Sequence, residues 1–251
     1  MNIKEINEFV KRNIPSVDIE LHNSFQRHDC LQVIRSNNCI GIELGVAGGH
    51  YSQRMIQSKK FKKFYGVDLY EDHHNVNEYI SALKLVGLEN NYTLLRMSFD
   101  NAIKLFDDNY FDFIYFDGYA HTGEEGGTTY SDWYRKLKIG GVFAGDDYHD
   151  DWPLVKWAVN DMVCQVGCKL NVTGSLEKTN LNRYPTWFFI KEEETNFYPD
   201  KKLKELGIAI RKSTRTKSND NFNITIQQLE EILKKVKINN PHDAAMLKRL
   251  L

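Results

Sequence analysis

Two groups of residues in this chain have types and spacings that could do chemistry. The first is a small-residue turn, Glu43-Leu44-Gly45-Val46-Ala47-Gly48-Gly49-His50, followed by Asp68 at the end of the next apolar run. Small residues let a backbone approach a ligand closely, and a helix that opens at such a turn offers unpaired N–H groups. An acidic residue closing the second strand of a doubly wound sheet takes ribose hydroxyls. Together they point to a nucleoside-bearing cofactor. The second group is acidic. Asp117 ends one apolar run, Asp146-Asp147 end another, and His121 and His149 follow a few residues beyond. Three carboxylates brought to adjacent strand ends repel one another unless a cation stands among them. An all-oxygen set of this kind suits Mg²⁺. A neutral imidazole beside it could take the proton of a substrate hydroxyl. Helix capping and solvation are the plainer roles for the same aspartates and histidines, and both readings stand at this point.

Which nucleoside is bound depends on the charge at the turn. A dinucleotide site wants G-x-G-x-x-G with a pyrophosphate on the helix N-terminus. Here the pattern is Glu43-x-Gly45-x-Ala47-x-Gly49. A carboxylate two residues before the first glycine would repel a pyrophosphate but suits an ammonium group. The pattern resembles the S-adenosylmethionine (SAM) motif of class I methyltransferases. The resemblance runs from about residue 39 to 190 and narrows at two places. Asp117-Gly118 with His121-Thr122, and Gly140-Gly141-Val142 leading to Gly145-Asp146-Asp147-Tyr148-His149, are similar to metal-dependent enzymes that methylate sugar hydroxyls. Tyr119-Ala120 departs from that pattern, where one acidic residue is common.

The resemblance implies a role for each matching residue. Glu43, Gly45, Ala47, Gly49, Asp68 and Asp117 would hold SAM, with the adenine near Ser98, Phe99 and Asp100. Asp117, Asp146 and Asp147 would hold Mg²⁺. His149 would be the base, with His121 as its competitor. The expected reaction is methyl transfer to a hydroxyl of a sugar or other polyhydroxylated small molecule.

These residues need a particular scaffold. Between residues 39 and 190, short apolar runs alternate with helical patterns, the mark of a parallel sheet with crossover helices. Strands are expected at 39–44, 64–68, 92–96, 111–117, 141–145, about 168–172 and 186–190. Helices fit at about 50–58, 75–86, 100–106, 125–137 and 152–164. The fold expected is α/β: a Rossmann-like, doubly wound, mostly parallel seven-stranded sheet with flanking helices. Residues 1–38 read as an N-terminal helical lid with helices near 3–12 and 28–36, 39–192 as the SAM-binding core, and 193–251 as a C-terminal helical extension. In that extension Phe222, Ile226, Leu229, Leu233 and Val236 make one apolar helical stripe, suited to packing on the core or on a second copy in a homo-oligomer.

Composition trims the alternatives. With 33 Lys+Arg against 34 Asp+Glu the chain is nearly neutral, which argues against a nucleic-acid partner. No apolar run approaches the roughly 18 residues of a membrane span. The start, MNIKEINEFVKRNIPS, shows no signal core. Cys30, Cys39, Cys164 and Cys168 form no C-x-x-C pair, so a reduced, cytoplasmic protein is expected. Arg211, Lys212, Arg215 and Lys217 could meet a phosphate-bearing substrate such as a nucleotide-linked sugar, or be a solvated loop. Tyr134-x-x-x-Lys138 matches the short-chain dehydrogenase motif but precedes the strand it should follow. A non-catalytic SAM-binding module, and a methyltransferase acting on another oxygen or nitrogen of a capsule or metabolite precursor, remain open.

Overall fold

The structure is a computed structural model, which describes residues 1–71, 74–118, 123–174 and 183–214, together with 225, 227, 228 and 231. Its centre is an eight-stranded sheet. The strands are β1 (Ile19–His22), β2 (Cys39–Leu44), β3 (Phe61–Asp68), β4 (Tyr92–Arg96), β5 (Phe111–Phe116), β6 (Leu137–Gly145), β7 (Leu170–Thr173) and β8 (Trp187–Ile190). They lie in the order β1-β7-β8-β6-β5-β2-β3-β4. All neighbours are parallel except β8, which runs antiparallel to both β6 and β7.

Each inner strand is apolar along nearly its whole length because both of its faces are covered, the usual state of a parallel sheet. In β5, alternate residues serve opposite sides. Phe113 and Tyr115 pack with Met55, Phe64 and Phe188 on one face, while Ile114 and Phe116 pack with Trp133, Phe143 and Trp187 on the other. The helices are α1 (Ile3–Asn13), α2 (His50–Gln57), α3 (Val76–Ala82), α4 (Phe99–Ala102), α5 (Gly123–Tyr134), α6 (Pro153–Val166) and α7 (Lys201–Thr214). Local signals set their ends. Asn2 and Glu5 cap α1 reciprocally, as Asn75 and Glu78 cap α3. Gly167, in the left-handed region at φ 68°, stops α6.

The sheet has one strand more than the seven expected. β1 lies within the stretch read as a helical lid, and its four residues pair with β7 at the sheet edge. Four residues are too few to show a period, so the sequence concealed it. The expected second helix of that stretch is a 3-10 segment, Arg27–Val33. The expected helix at 75–86 is α3 continued by a wider π turn, Leu83–Gly87. In the C-terminal extension α7 buries Leu203, Leu206 and Ile210 on the core. The apolar stripe from Phe222 to Val236 lies outside the described residues, as do Arg215 and Lys217. Among the described residues no helix is long and apolar enough to cross a membrane.

Strand order reverses between β2, which continues to β3 and β4, and β5, which continues to β6. In open α/β sheets the crevice beyond the strand C-termini at such a reversal takes the ligand. The turn after β2, Asp68 after β3, Asp117 after β5 and Asp146-Asp147 after β6 all stand at that edge.

Candidate active site

The glycine turn is held from both sides. Gly45 donates its N–H to Val67 O at 2.9 Å, and Asp117 donates its own to Leu44 O at 2.8 Å. Gly45 sits at φ +98°, and a Cβ there would lie 2.4 Å from Asp117 O. Backbone of β5's end occupies the space a side chain would need. Ala47 also lies in the left-handed region, at φ 46°, which costs an alanine roughly 1–2 kcal/mol.

Asp68 offsets that strain. Its Oδ2 accepts from Val46 N–H at 2.9 Å, from Ala47 N–H at 3.0 Å and from His74 Nδ1 at 2.7 Å. Its Oδ1 accepts from Tyr70 N–H at 3.0 Å, and Tyr70 Oη donates to Ala47 O at 2.9 Å. Each carboxylate oxygen has two lone pairs, and Oδ1, with the single donor Tyr70 N–H, has one left for a further hydroxyl. Burial opposes ionisation of Asp68, yet the hydrogen bond and charge of His74 and the two turn N–H groups bring its pKa below the usual value. Burial likewise opposes protonation of His74, and Asp68 outweighs it, raising the imidazole to about 9.

Glu43 stands beneath the turn rather than in its mouth, with 1% of its surface exposed. Ser52 donates to its carboxyl, and Tyr92 Oη lies 2.9 Å from Ser52 Oγ. Gly66 makes room for this chain, since a Cβ there would meet Tyr92 Oη at 2.0 Å. Burial raises the Glu43 pKa well above the ordinary carboxylate range, against the Ser52 hydrogen bond. Of the residues expected around an adenine, Ser98 accepts the Asn101 N–H as the cap of α4. Phe99 is buried with its ring against Gly118, and Asp100 is exposed on the first turn of α4.

Of the three aspartates, Asp117 and Asp146 come to one place, and a cation stands between them. That cation is Arg27, from the 3-10 segment after β1. Its Nη2 donates to Asp117 Oδ2, and its Nη1 is 3.3 Å from Asp146 Oδ2. Its Nε donates to Tyr115 Oη at 2.9 Å. The guanidinium carbon lies 4.6 Å from the centre of the Tyr51 ring and 5.1 Å from that of Tyr115. Burial works against the charge of Arg27, but Asp117 and Asp146 overcome it and its pKa rises well above the usual value. Burial raises Asp146 and Asp147 together; Arg27 pulls Asp146 back, while Asp146 and Asp117 push Asp147 further up.

The magnesium expected on Asp117, Asp146 and Asp147 does not fit beside a seated Arg27. An ion held by the same oxygens would stand about 4 Å from the guanidinium, where a divalent and a monovalent cation repel by roughly 8 kcal/mol at an effective dielectric of about 20. Among the described residues no trio of His, Cys, Asp and Glu is grouped closely enough to hold a metal.

His149 lies on the loop leaving β6, its side chain 44% exposed. Its Nδ1 faces the Asp151 backbone N–H at 3.2 Å and the Asp151 carboxylate at 3.4 Å. Tyr184 lies against its ring, with centroids 5.0 Å apart. His121 lies outside the described residues. Arg27, His74, Tyr115 and Thr186 are site residues that the sequence reading missed. A signal for Arg27 was available: three carboxylates demand a cation, and the chain could supply one itself.

Residues 42–148 match a family model described as a methyltransferase domain. No curated protein matches the chain. A structure from Klebsiella pneumoniae, named as an O-methyltransferase, superposes with a TM-score of 0.51 at 16% identity over 76% of this chain and 90% of its own. Cofactor-bound Rv0187 from MTB superposes with a TM-score of 0.51 at 11% identity, over 76% of this chain and 88% of its own. At such identities the likeness speaks for the fold.

Proposed function

We propose that this chain is a SAM-dependent methyltransferase and that it transfers the methyl group to a hydroxyl of a sugar or another polyhydroxylated small molecule. The observation that carries the reading is the braced turn. Its backbone comes within van der Waals reach of β5, and Asp68 Oδ1 keeps an acceptor position at the sheet's C-terminal edge. That arrangement fits a ribose beside a backbone cradle. SAM, when bound, supplies an electrophilic methyl group on sulfur.

The chain's residues then have distinct tasks. Asp68 takes ribose hydroxyls and keeps the turn in its strained form. Glu43, one layer below, holds the turn's floor through Ser52. Asp117, with 30% of its side chain exposed, is the carboxylate that reaches the cleft. His149, on the β6 loop, accepts the proton as the hydroxyl oxygen bonds to carbon and the carbon–sulfur bond breaks. Positioning supplies most of the acceleration, because the electrophile is already activated.

A phosphate-bearing acceptor, such as a nucleotide-linked sugar, would find Arg211 and Lys212 at the last turn of α7. The test is label transfer from methyl-labelled SAM to a panel of free sugars, nucleotide-linked sugars, catechols and amines. The reading predicts label on a hydroxyl-bearing sugar or polyol, in a bond stable to mild base. Label on an amine or carboxylate alone would overturn it.

A further inference from the structure

We propose that Arg27 is the resident cation of this site, a positioning residue that stands where a divalent ion would stand and excludes one while it is seated. The inference rests on the methyltransferase reading for its purpose but not for its geometry.

Four side chains close a ring around the charge. Arg27 Nε–H donates to Tyr115 Oη at 2.9 Å. Having accepted there, Tyr115 spends its proton on Thr186 Oγ1, 2.9 Å away. Thr186 in turn donates to Asp146 Oδ1 at 3.4 Å. Asp146 returns to Arg27 through its other oxygen, 3.3 Å from Nη1. Asp117 takes the remaining arm of the fork. Each donor direction follows from the first, since a guanidinium can only donate. Tyr51 and Tyr115 cover the group with their rings. A planar fork that serves two carboxylates and a phenol at once is a task for arginine and not for lysine.

The carrier segment is anchored as well. β1 joins the sheet beside β7. The Cys30 thiol donates to Arg27 O at 3.4 Å, and His28 Nδ1 lies 2.9 Å from Arg54 Nη1. The N-terminal stretch thus completes the acidic floor from outside the core. Asp117 and Asp146 are aimed by one guanidinium, and the reaction proceeds without divalent metal.

The test uses the full chain, freed of metal by chelator, and Mn²⁺ alone as the probe, followed by electron paramagnetic resonance. The wild-type protein should leave Mn²⁺ free up to millimolar concentration. Arg27→Ala should bind one Mn²⁺ per chain at least tenfold more tightly than the wild type. Asp146→Asn in that background should return binding to the wild-type level, and Arg27→Lys, which keeps the charge, should remain Mn²⁺-free. One Mn²⁺ bound per wild-type chain in the micromolar range, and lost in Asp146→Asn, would overturn the proposal. So would an Arg27→Ala protein, folded by near-ultraviolet dichroism, that binds no better than the wild type. If Arg27→Ala does not fold, the wild-type and Arg27→Lys titrations still decide. SAM calorimetry on the same samples keeps the two readings apart: absent SAM heat would fail the methyltransferase reading and leave the Mn²⁺ result standing.

Discussion

Replacing Asp68 by Asn exchanges one carboxylate oxygen for an NH₂ group and should unsettle the whole turn. The carboxylate accepts from four donors: Val46 N–H, Ala47 N–H, Tyr70 N–H and His74. An amide has one accepting oxygen. If that oxygen faces Val46 and Ala47, the new NH₂ group faces Tyr70 N–H, donor against donor. Losing one bond to a charged group costs about 1.5–3 kcal/mol. At roughly 2–4 °C per kcal/mol for a chain of this size, the melting temperature should fall by about 3–12 °C.

The pH dependence of stability is the sharper signature. His74 has an ordinary pKa of 6.5, raised to about 9 in the folded chain. A raised folded value gives stability that is fully present below pH 6.5 and lost as pH rises through about 9. The shift sets an upper bound of about 3 kcal/mol on that contribution. Asp68, lowered by the same contacts, contributes above its unfolded pKa and loses its contribution in acid. Urea unfolding of the wild type between pH 6 and pH 10 should therefore show a falling stability, to which the buried Asp146, Asp147 and Cys30 also contribute, and Asp68→Asn should remove the part due to His74. An equal fall in both proteins would refute the coupling of His74 to Asp68. The same substitution should weaken SAM binding by roughly ten- to 150-fold if Asp68 also holds the ribose.

Three further substitutions separate the remaining roles. Gly45→Ala forces a side chain at φ +98° into the Asp117 carbonyl, so calorimetry should find SAM affinity lost and thermal melts a destabilisation of about 2 kcal/mol or more. His149→Gln should leave SAM affinity intact and lower kcat on the order of 10²–10⁴, with the loss easing at high pH; an unchanged kcat would remove His149 from the reaction. Lys191, its side chain 0% exposed, donates to Leu137 O at 2.8 Å and Glu194 Oε2 at 2.9 Å. Lys191→Met should cost about 2–3 kcal/mol in urea unfolding without changing SAM binding.

Much of the framework was legible because it rests on period and punctuation. β2 and β5 fall where apolar runs end in glycine or aspartate, and α2 and α6 where helical patterns open. The acidic residues were legible as a group for the same reason: each closes a strand at one edge of the sheet. Asp68 was found, but its first task was not. A sequence cannot show that the carboxylate turns back to brace Val46 and Ala47 before it meets any ligand. Glu43 reads as a mouth residue because its neighbours are glycines, yet the pleat of β2 sends its side chain under the turn to Ser52. Arg27 was hidden most completely. It lies 90 residues from Asp117, on a segment whose strand is too short for a periodic signal, and only the pairing of β1 with β7 brings it to the crevice. The counter-charge that three aspartates call for reads from the sequence as a metal, and in the fold Arg27 supplies it.

Calorimetry on the wild-type chain asks whether the braced turn and Asp68 hold SAM. One SAM per chain should bind with a dissociation constant in the micromolar range, about −8 kcal/mol. That binding should be unaffected by chelator. Heat with NADH and none with SAM would contradict it.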